Sequence, residues 1–172
     1  MERIKKLYEL HKEAVFRYFL RMTGSWEEAV ELTQETFYQA CLSIYRFKGE
    51  AALKTWLFSI ARNVYLKSIR KRAKFKRMVR DGPLLDNEPA SNTPDLPAEA
   101  LLLKEERERV RKALSQIPEI SRTVIILKEY EGLSYEEIAG IFGQTVNWAR
   151  VTFYRAKMKL GQICREQEDD GK

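Results

Sequence analysis

Arg150, Val151, Tyr154 and Arg155 are spaced to fall on one side of a helix, while Ala149, Phe153, Ala156 and Leu160 fall on the other. The first four can read base edges. Planar arginine forks match the two acceptors of guanine, and valine and tyrosine can meet a thymine methyl. A second group lies earlier, where Tyr45, Phe47, Trp56, Phe58 and Tyr65 alternate with Lys54, Arg62, Asn63 and Lys67. Aromatic rings stack on unpaired bases at about 1–3 kcal/mol per base, and an amide can read a base edge. Helical cores use aromatics too, and for Trp56 packing is an equal reading. Lys67, Arg70, Lys71, Arg72, Lys74, Lys76, Arg77 and Arg80 follow without an acid among them, which suits a phosphate backbone. Groups for bond-breaking are missing. The chain has one histidine, His11, and two distant cysteines, Cys41 and Cys164, with no zinc-ligand spacing and no carboxylate cluster on the basic side to hold magnesium. The expectation is a binding protein with no metal, no cofactor and no catalysis.

The base-reading residues need a scaffold, and the stretch from Gly132 to Leu160 supplies the pattern of a helix-turn-helix. Ser134 with Glu137 three residues on is a capping box, in which hydroxyl and carboxylate satisfy unpaired amides at a helix start. Ile138, Ala139, Ile141 and Phe142 give one apolar face, and Gly143 suits a left-handed C-cap. A second helix can start within three residues. Upstream, Val110, Ala113, Leu114 and Ile117 form an amphipathic helix stopped near Pro118, and Ile120, Val124, Leu127 and Tyr130 form another ending at Gly132.

In the first half, Leu7, Leu10, Ala14, Tyr18 and Met22 repeat at helical spacing until Thr23 and Gly24. Ser25 and Glu28 form a second capping box. The next helix presents Val30, Thr33, Phe37, Ala40, Cys41 and Ile44 to the core. Its other face carries Glu27, Glu28, Glu31, Gln34 and Glu35 around an outward Leu32. Acids near a helix N-terminus favour the helix by themselves, so this patch reads first as a solvated face and second as a docking surface. Gly49 permits a tight loop. The helix after it has Leu53, Leu57, Ile60 and Val64 toward the core.

Charge divides the chain. Residues 1–80 hold 18 basic and 8 acidic side chains, and residues 81–103 hold five acids and no base, so the positive charge belongs to the first half. Four of the five prolines (Pro83, Pro89, Pro94 and Pro97) also fall in that acidic segment, which marks it as an extended linker. The expected architecture is all-α, with a domain at 1–80, a linker at 81–103 and a four-helix helix-turn-helix domain at 104–168. The tail from Glu166 reads as frayed. Nothing approaches a membrane span, no signal peptide is apparent, and lone cysteines fit a reducing cytoplasm.

Taken together, the motifs resemble the extracytoplasmic-function (ECF) group of bacterial RNA polymerase sigma factors along nearly the whole chain. Glu31-Leu32-Thr33-Gln34-Glu35-Thr36-Phe37 resembles the group's polymerase-docking motif. Arg46-Phe47-Lys48-Gly49-Glu50, Thr55-Trp56-Leu57 and Ile60-Ala61-Arg62-Asn63 resemble the segment that opens the minus-ten element. Gly132 through Ala139 and Arg155-Ala156-Lys157 resemble the region that reads the minus-thirty-five element. The resemblance implies that Glu31, Leu32, Gln34 and Glu35 dock on the clamp helices of the largest polymerase subunit, with a further contact to the flap of the second largest. It implies that Phe47, Lys48, Gly49, Glu50 and Ala51, with Asn63, capture a flipped base, and that Arg62, Lys67 and Arg70 hold backbone phosphate. Ser134, Tyr135, Asn147, Arg150, Val151, Tyr154 and Arg155 would contact the upstream element, and an anti-sigma protein is an expected partner. Asn147-Trp148-Ala149 departs from the commoner Gly-Thr-Val run at the start of the recognition helix, and Val151 stands where a small polar residue is frequent. A stand-alone helix-turn-helix regulator is the alternative reading. It leaves the acidic face and the aromatic loop without a purpose.

Overall fold

The computed structural model describes residues 2–49, 52–79 and 98–169, and no strand occurs among them. The order is α1 (Glu2–Thr23), α2 (Trp26–Ser43), a 3-10 turn (Ile44–Arg46), α3 (Leu53–Met78), α4 (Ala98–Ser115), α5 (Glu119–Ile125) running into a π-helical turn (Ile126–Tyr130), α6 (Tyr135–Phe142) and α7 (Val146–Asp169). The first three helices pack on one another, and α4 to α7 form the four-helix unit. Helix begins at Ala98, and α7 continues to Asp169, so the tail expected to fray from Glu166 is helical for most of its length. The acidic, proline-rich stretch up to residue 97 lies outside the described residues, as do Glu50 and Ala51.

Gly24 turns α1 into α2 with φ +70°, a conformation that glycine adopts without a Cβ clash. On α1 the buried side chains are Leu7, Val15, Tyr18, Phe19 and Met22. Leu10, expected in the core, is 65% exposed, because half-buried His11, four residues after Leu7, takes the inward place. Burial, and then the charge of Lys54, lower the pKa of His11.

On α2 the inward stripe is Ala29, Leu32, Thr36, Phe37 and Ala40. This reverses two expectations: Leu32 is buried, and Cys41 is exposed. The reason is Thr36. Its hydroxyl donates to the Leu32 carbonyl at 2.7 Å, so a polar residue can sit in the core, and the stripe rotates by about one position. The Ser25 box is only half formed. Ser25 Oγ accepts from the Glu28 amide, but the Glu28 carboxylate pairs with Arg72 at 2.8 Å instead.

On α3, Thr55, Leu57, Phe58, Ala61, Val64 and Tyr65 are buried. Phe58 and Tyr65 therefore belong to the core and not to a base-stacking group. Phe58 meets Tyr18 edge-on at 5.6 Å. After α5, the wider π turn changes which faces point inward. Val124, Ile125, Ile126 and Leu127 are all buried, whereas Ile120 and Tyr130, expected inside, are 44% and 46% exposed.

The two helical units share one apolar cluster that runs from Leu7, Tyr18 and Phe58 through Val124, Leu127 and Leu133 to Ile138 and Phe153. They are packed together.

Candidate nucleic-acid and protein interfaces

The helix-turn-helix is held by complementary end caps. Glu137 donates its amide to Ser134 Oγ at 3.1 Å, and Glu137 Oε2 accepts from the Ser134 amide at 2.8 Å. Gly143 ends α6 in the left-handed region, with φ +63°. Thr145 Oγ1 then accepts from the Trp148 amide at 3.1 Å, and α7 starts at Val146, three residues after the Gly143 cap. Ala149, Phe153 and Ala156 are buried, and Leu160 is half-buried. Asn147, Arg150, Val151, Tyr154 and Arg155 are exposed. Burial of the alanine and phenylalanine positions fixes the rotation of α7 and with it the outward direction of Arg150, Val151, Tyr154 and Arg155.

Ser134 is committed to its cap, and Tyr135 lies beside it, half-buried. Two cations approach the Tyr135 ring, Lys128 Nζ at 4.5 Å and Arg150 at 5.5 Å from the centroid. Such contacts contribute roughly 0.5–1 kcal/mol at exposed sites. Lys128 had no sequence signal, because it comes from the preceding π turn. Trp148 packs on Phe142 with ring centroids 5.0 Å apart. The unusual start of α7 thus divides: Trp148 and Ala149 brace the turn, and Asn147 faces solvent.

In the first unit, Glu27, Glu31, Gln34 and Glu35 are exposed on α2, with Glu35 Oε1 accepting from Gln39 at 2.7 Å. Leu32 lies beneath this face. The exposed apolar groups on the same helix are Trp26, Tyr38 and Leu42, at 66%, 58% and 51%, and Tyr38 and Leu42 continue the row of Glu31 and Glu35 at helical spacing. Alternation toward polar residues hid them.

The aromatic loop is partly assembled. Phe47 rests on Trp56 with centroids 5.3 Å apart. Tyr45 is 74% exposed, and its hydroxyl accepts from Arg46 Nε at 2.9 Å. Lys48 and Gly49 are exposed, and Gly49 has φ +77° with open space around it. Asn63, Lys67 and Arg70 are exposed along α3.

Arg62 is different. Its side chain is only 15% exposed and lies 3.9 Å from Glu119 of α5, with its guanidinium over the Phe142 ring at 3.9 Å. Other contacts join the same two units. Lys54 Nζ donates to the Glu131 carbonyl at 2.6 Å and lies 3.6 Å from its carboxylate, and Thr55 Oγ1 donates to Glu137 Oε1 at 2.6 Å. Arg122 Nη1 donates to the Met22 carbonyl at 2.6 Å, and Arg111 Nη1 donates to the Gly24 carbonyl at 3.3 Å. Arg21 covers the Tyr130 ring at 3.8 Å.

The two carboxylates at this seam respond oppositely. Burial pushes Glu131 up despite its Lys54 partner. The Thr55 hydroxyl, then the Ser134 amide, hold Glu137 below the usual range. Desolvation outweighs an ion pair in the first case, and hydrogen bonds outweigh desolvation in the second.

Comparison with known proteins agrees with this layout. Sigma-70 region 2 matches residues 7–75, and Sigma-70, region 4 matches residues 107–160. The RNA polymerase sigma factor YlaC of Bacillus subtilis is 30% identical over 97% of this chain and 95% of its own. The ECF RNA polymerase sigma-E factor of Haemophilus influenzae is 32% identical over 89% and 85%. In structure, the chain resembles the Bartonella quintana sigma factor RpoE solved with the anti-sigma factor NepR, with a TM-score of 0.76 at 24% identity over 96% and 98% of the two chains. CnrH solved with the cytosolic domain of CnrY follows at 0.68 and 20%, over 96% and 90%; both likenesses describe the fold. A stand-alone regulator would have no reason to carry region 2. With both regions present in order and relatives aligned over most of their length, the chain belongs to the ECF group of bacterial RNA polymerase sigma factors.

Proposed function

We propose that this sigma factor is a dissociable specificity subunit that docks on core polymerase through α2, captures the minus-ten non-template strand beside α3, and reads the minus-thirty-five duplex with α7. Glu31, Gln34 and Glu35 supply the charged part of docking on the clamp helices of the largest subunit, and Tyr38 and Leu42 supply its apolar part. Leu32 acts from below by fixing the helix. The second unit meets the flap of the second largest subunit. Phe47, Lys48 and Gly49, with the adjoining Glu50 and Ala51, form the capture loop. Asn63 reads the flipped base, and Arg62, Lys67 and Arg70 hold phosphate. Unstacking a base costs a few kcal/mol, which stacking and pocket contacts offset. The protein itself breaks no bond on the base.

Upstream, Arg150, Val151, Tyr154 and Arg155 face base edges, Asn147 meets the groove margin, and Ser134 and Tyr135 offer a helix N-terminus to phosphate. The observation that carries this reading is the exposed set on α7, held in one direction by buried Ala149, Phe153 and Ala156. The protein acts in the cytoplasm, where its polymerase is. No described helix is long and apolar enough to cross a membrane. An anti-sigma protein holds it when idle, as the similar structures solved with anti-sigma partners support. Glu31→Lys tests the docking arm: it is expected to weaken core binding while leaving duplex binding by α7 intact. Equal loss of both would contradict the assignment.

A further inference from the structure

We infer that the groove between α1 and α4, beside Tyr130 of the π turn, binds a nucleoside polyphosphate, with Arg17, Arg21 and Arg107 holding the phosphates and the base lying on the apolar floor by the Tyr130 ring. None of these residues is assigned to polymerase or to either promoter element.

The groove has a volume of about 720 Å³, within the roughly 300–1,000 Å³ of pockets that take a small organic ligand. Leu20 of α1 and Val110 and Leu114 of α4 line it. Leu114 is buried, and the other two are half-buried. Four arginines stand around that apolar surface, Arg17 and Arg21 on α1 and Arg107 and Arg111 on α4, against one carboxylate, Glu106. The two arginines of each helix are one turn apart, on the same face and roughly 6 Å from each other along the axis. Like charges on both walls repel, and a bound anion relieves the repulsion.

Three of the four arginines are available. Arg111 is spent, since it pairs with Glu108 and donates to the Gly24 carbonyl at 3.3 Å. Arg17 has only a Glu13 oxygen at 3.9 Å, with both side chains more than half exposed, and an exposed pair of that kind holds weakly. Arg107 is exposed and has no ion pair among the described residues. Arg21 is half-buried, and its guanidinium lies 3.8 Å from the centroid of the Tyr130 ring. A stacked guanidinium keeps its in-plane N–H groups free to donate. Arg21 and Arg17 act on buried Glu131 only at a distance, because that carboxylate already has Lys54 at 3.6 Å.

The lining selects the ligand. An inorganic anion would use the arginines and leave the apolar floor wet, and a neutral ring would do the reverse. A phosphate chain joined to a flat ring uses both. Guanidinium forks match phosphate oxygens two at a time, and the Tyr130 ring, 46% exposed, offers a base a surface to stack on. Duplex DNA would leave the floor empty, since its bases are paired inside and its phosphates lie outside.

Isothermal titration calorimetry of the full chain in about 0.15 M salt, where long-range attraction is screened, compares magnesium-free ATP, tripolyphosphate and adenosine. The expected result is saturation by ATP at a single site, binding of tripolyphosphate about fivefold weaker for want of the stacked ring, and no binding of adenosine. Arg17→Ala/Arg107→Ala is expected to weaken ATP about tenfold, as two charge-assisted contacts are lost; both side chains are exposed, so folding is not at stake. Lys5→Ala/Lys6→Ala removes the same charge from the exposed start of α1 and is expected to leave ATP binding unchanged. Glu106→Gln is expected to tighten ATP about threefold by removing the like charge from the wall. Tyr130→Leu is expected to bring ATP down to the tripolyphosphate level. No saturation by ATP, an equal loss in the lysine variant, or no gain in Glu106→Gln would overturn the site. Equal affinity for ATP and tripolyphosphate, unmoved by Tyr130→Leu, would overturn the nucleoside assignment.

Discussion

At the scale of residues, the most informative side chains are those whose partner lies far away in sequence. The exposed face of α7 was legible because Ala149, Phe153 and Ala156 repeat at a helical period, and periodicity is a local signal. Arg150→Ala or Arg155→Ala should cost about 1–3 kcal/mol in duplex affinity and relax preference at one base pair if the contact is bidentate. Binding selections on randomised duplexes distinguish this from a uniform loss, which marks a phosphate contact. Leu32 behaves differently. Because it is 9% exposed, Leu32→Ala should lower stability by about 2–5 kcal/mol as a core deletion, measured by denaturant unfolding. A variant of unchanged stability that still fails to bind polymerase would return Leu32 to the surface role.

At the scale of elements, the turn between α6 and α7 sets the angle at which α7 is presented. Gly143 has φ +63° and nothing near its Cβ position, so Gly143→Ala should suffer backbone strain without a clash. The expected loss is about 1–2 kcal/mol, seen as a lower melting temperature with the base preference retained. Glu137 links this cap to α3 through Thr55. Its pKa is lowered in the folded chain, so its stabilisation is present above the unfolded carboxylate pKa and is lost as pH falls through the folded one. Glu137→Gln should flatten that acid limb of the stability profile. An unchanged acid limb would mean that Glu137 contributes no linkage. The Ser134 box and Gly143 cap could be read directly from sequence, since both act within four residues. The Ser25 box was only half right because Arg72, 44 residues away, claims Glu28.

At the scale of the whole molecule, two helical units, their order and the acidic proline-rich stretch between regions were all visible in composition and motif. What composition could not show is that the units pack on each other. The seam depends on Lys54, Thr55, Arg111, Arg122 and Glu131, each of which looks like an ordinary surface residue in its own helix and finds its partner only after folding. The rotated core stripe of α2 turns on Thr36, a polar residue that an apolar periodicity passes over and whose hydroxyl bonds the Leu32 carbonyl, and the π turn leaves Tyr130 exposed under Arg21.

In the proposed function, one chain supplies both promoter contacts and does so as part of polymerase. The most direct measurement is reconstitution of the purified chain with core RNA polymerase on a promoter library, followed by footprinting of the selected promoters. The expected result is a stable complex with core, initiated transcripts, and two separate protected elements, the downstream one melted. Protection of a single duplex element by the chain alone, with no complex formed with core polymerase, would contradict it.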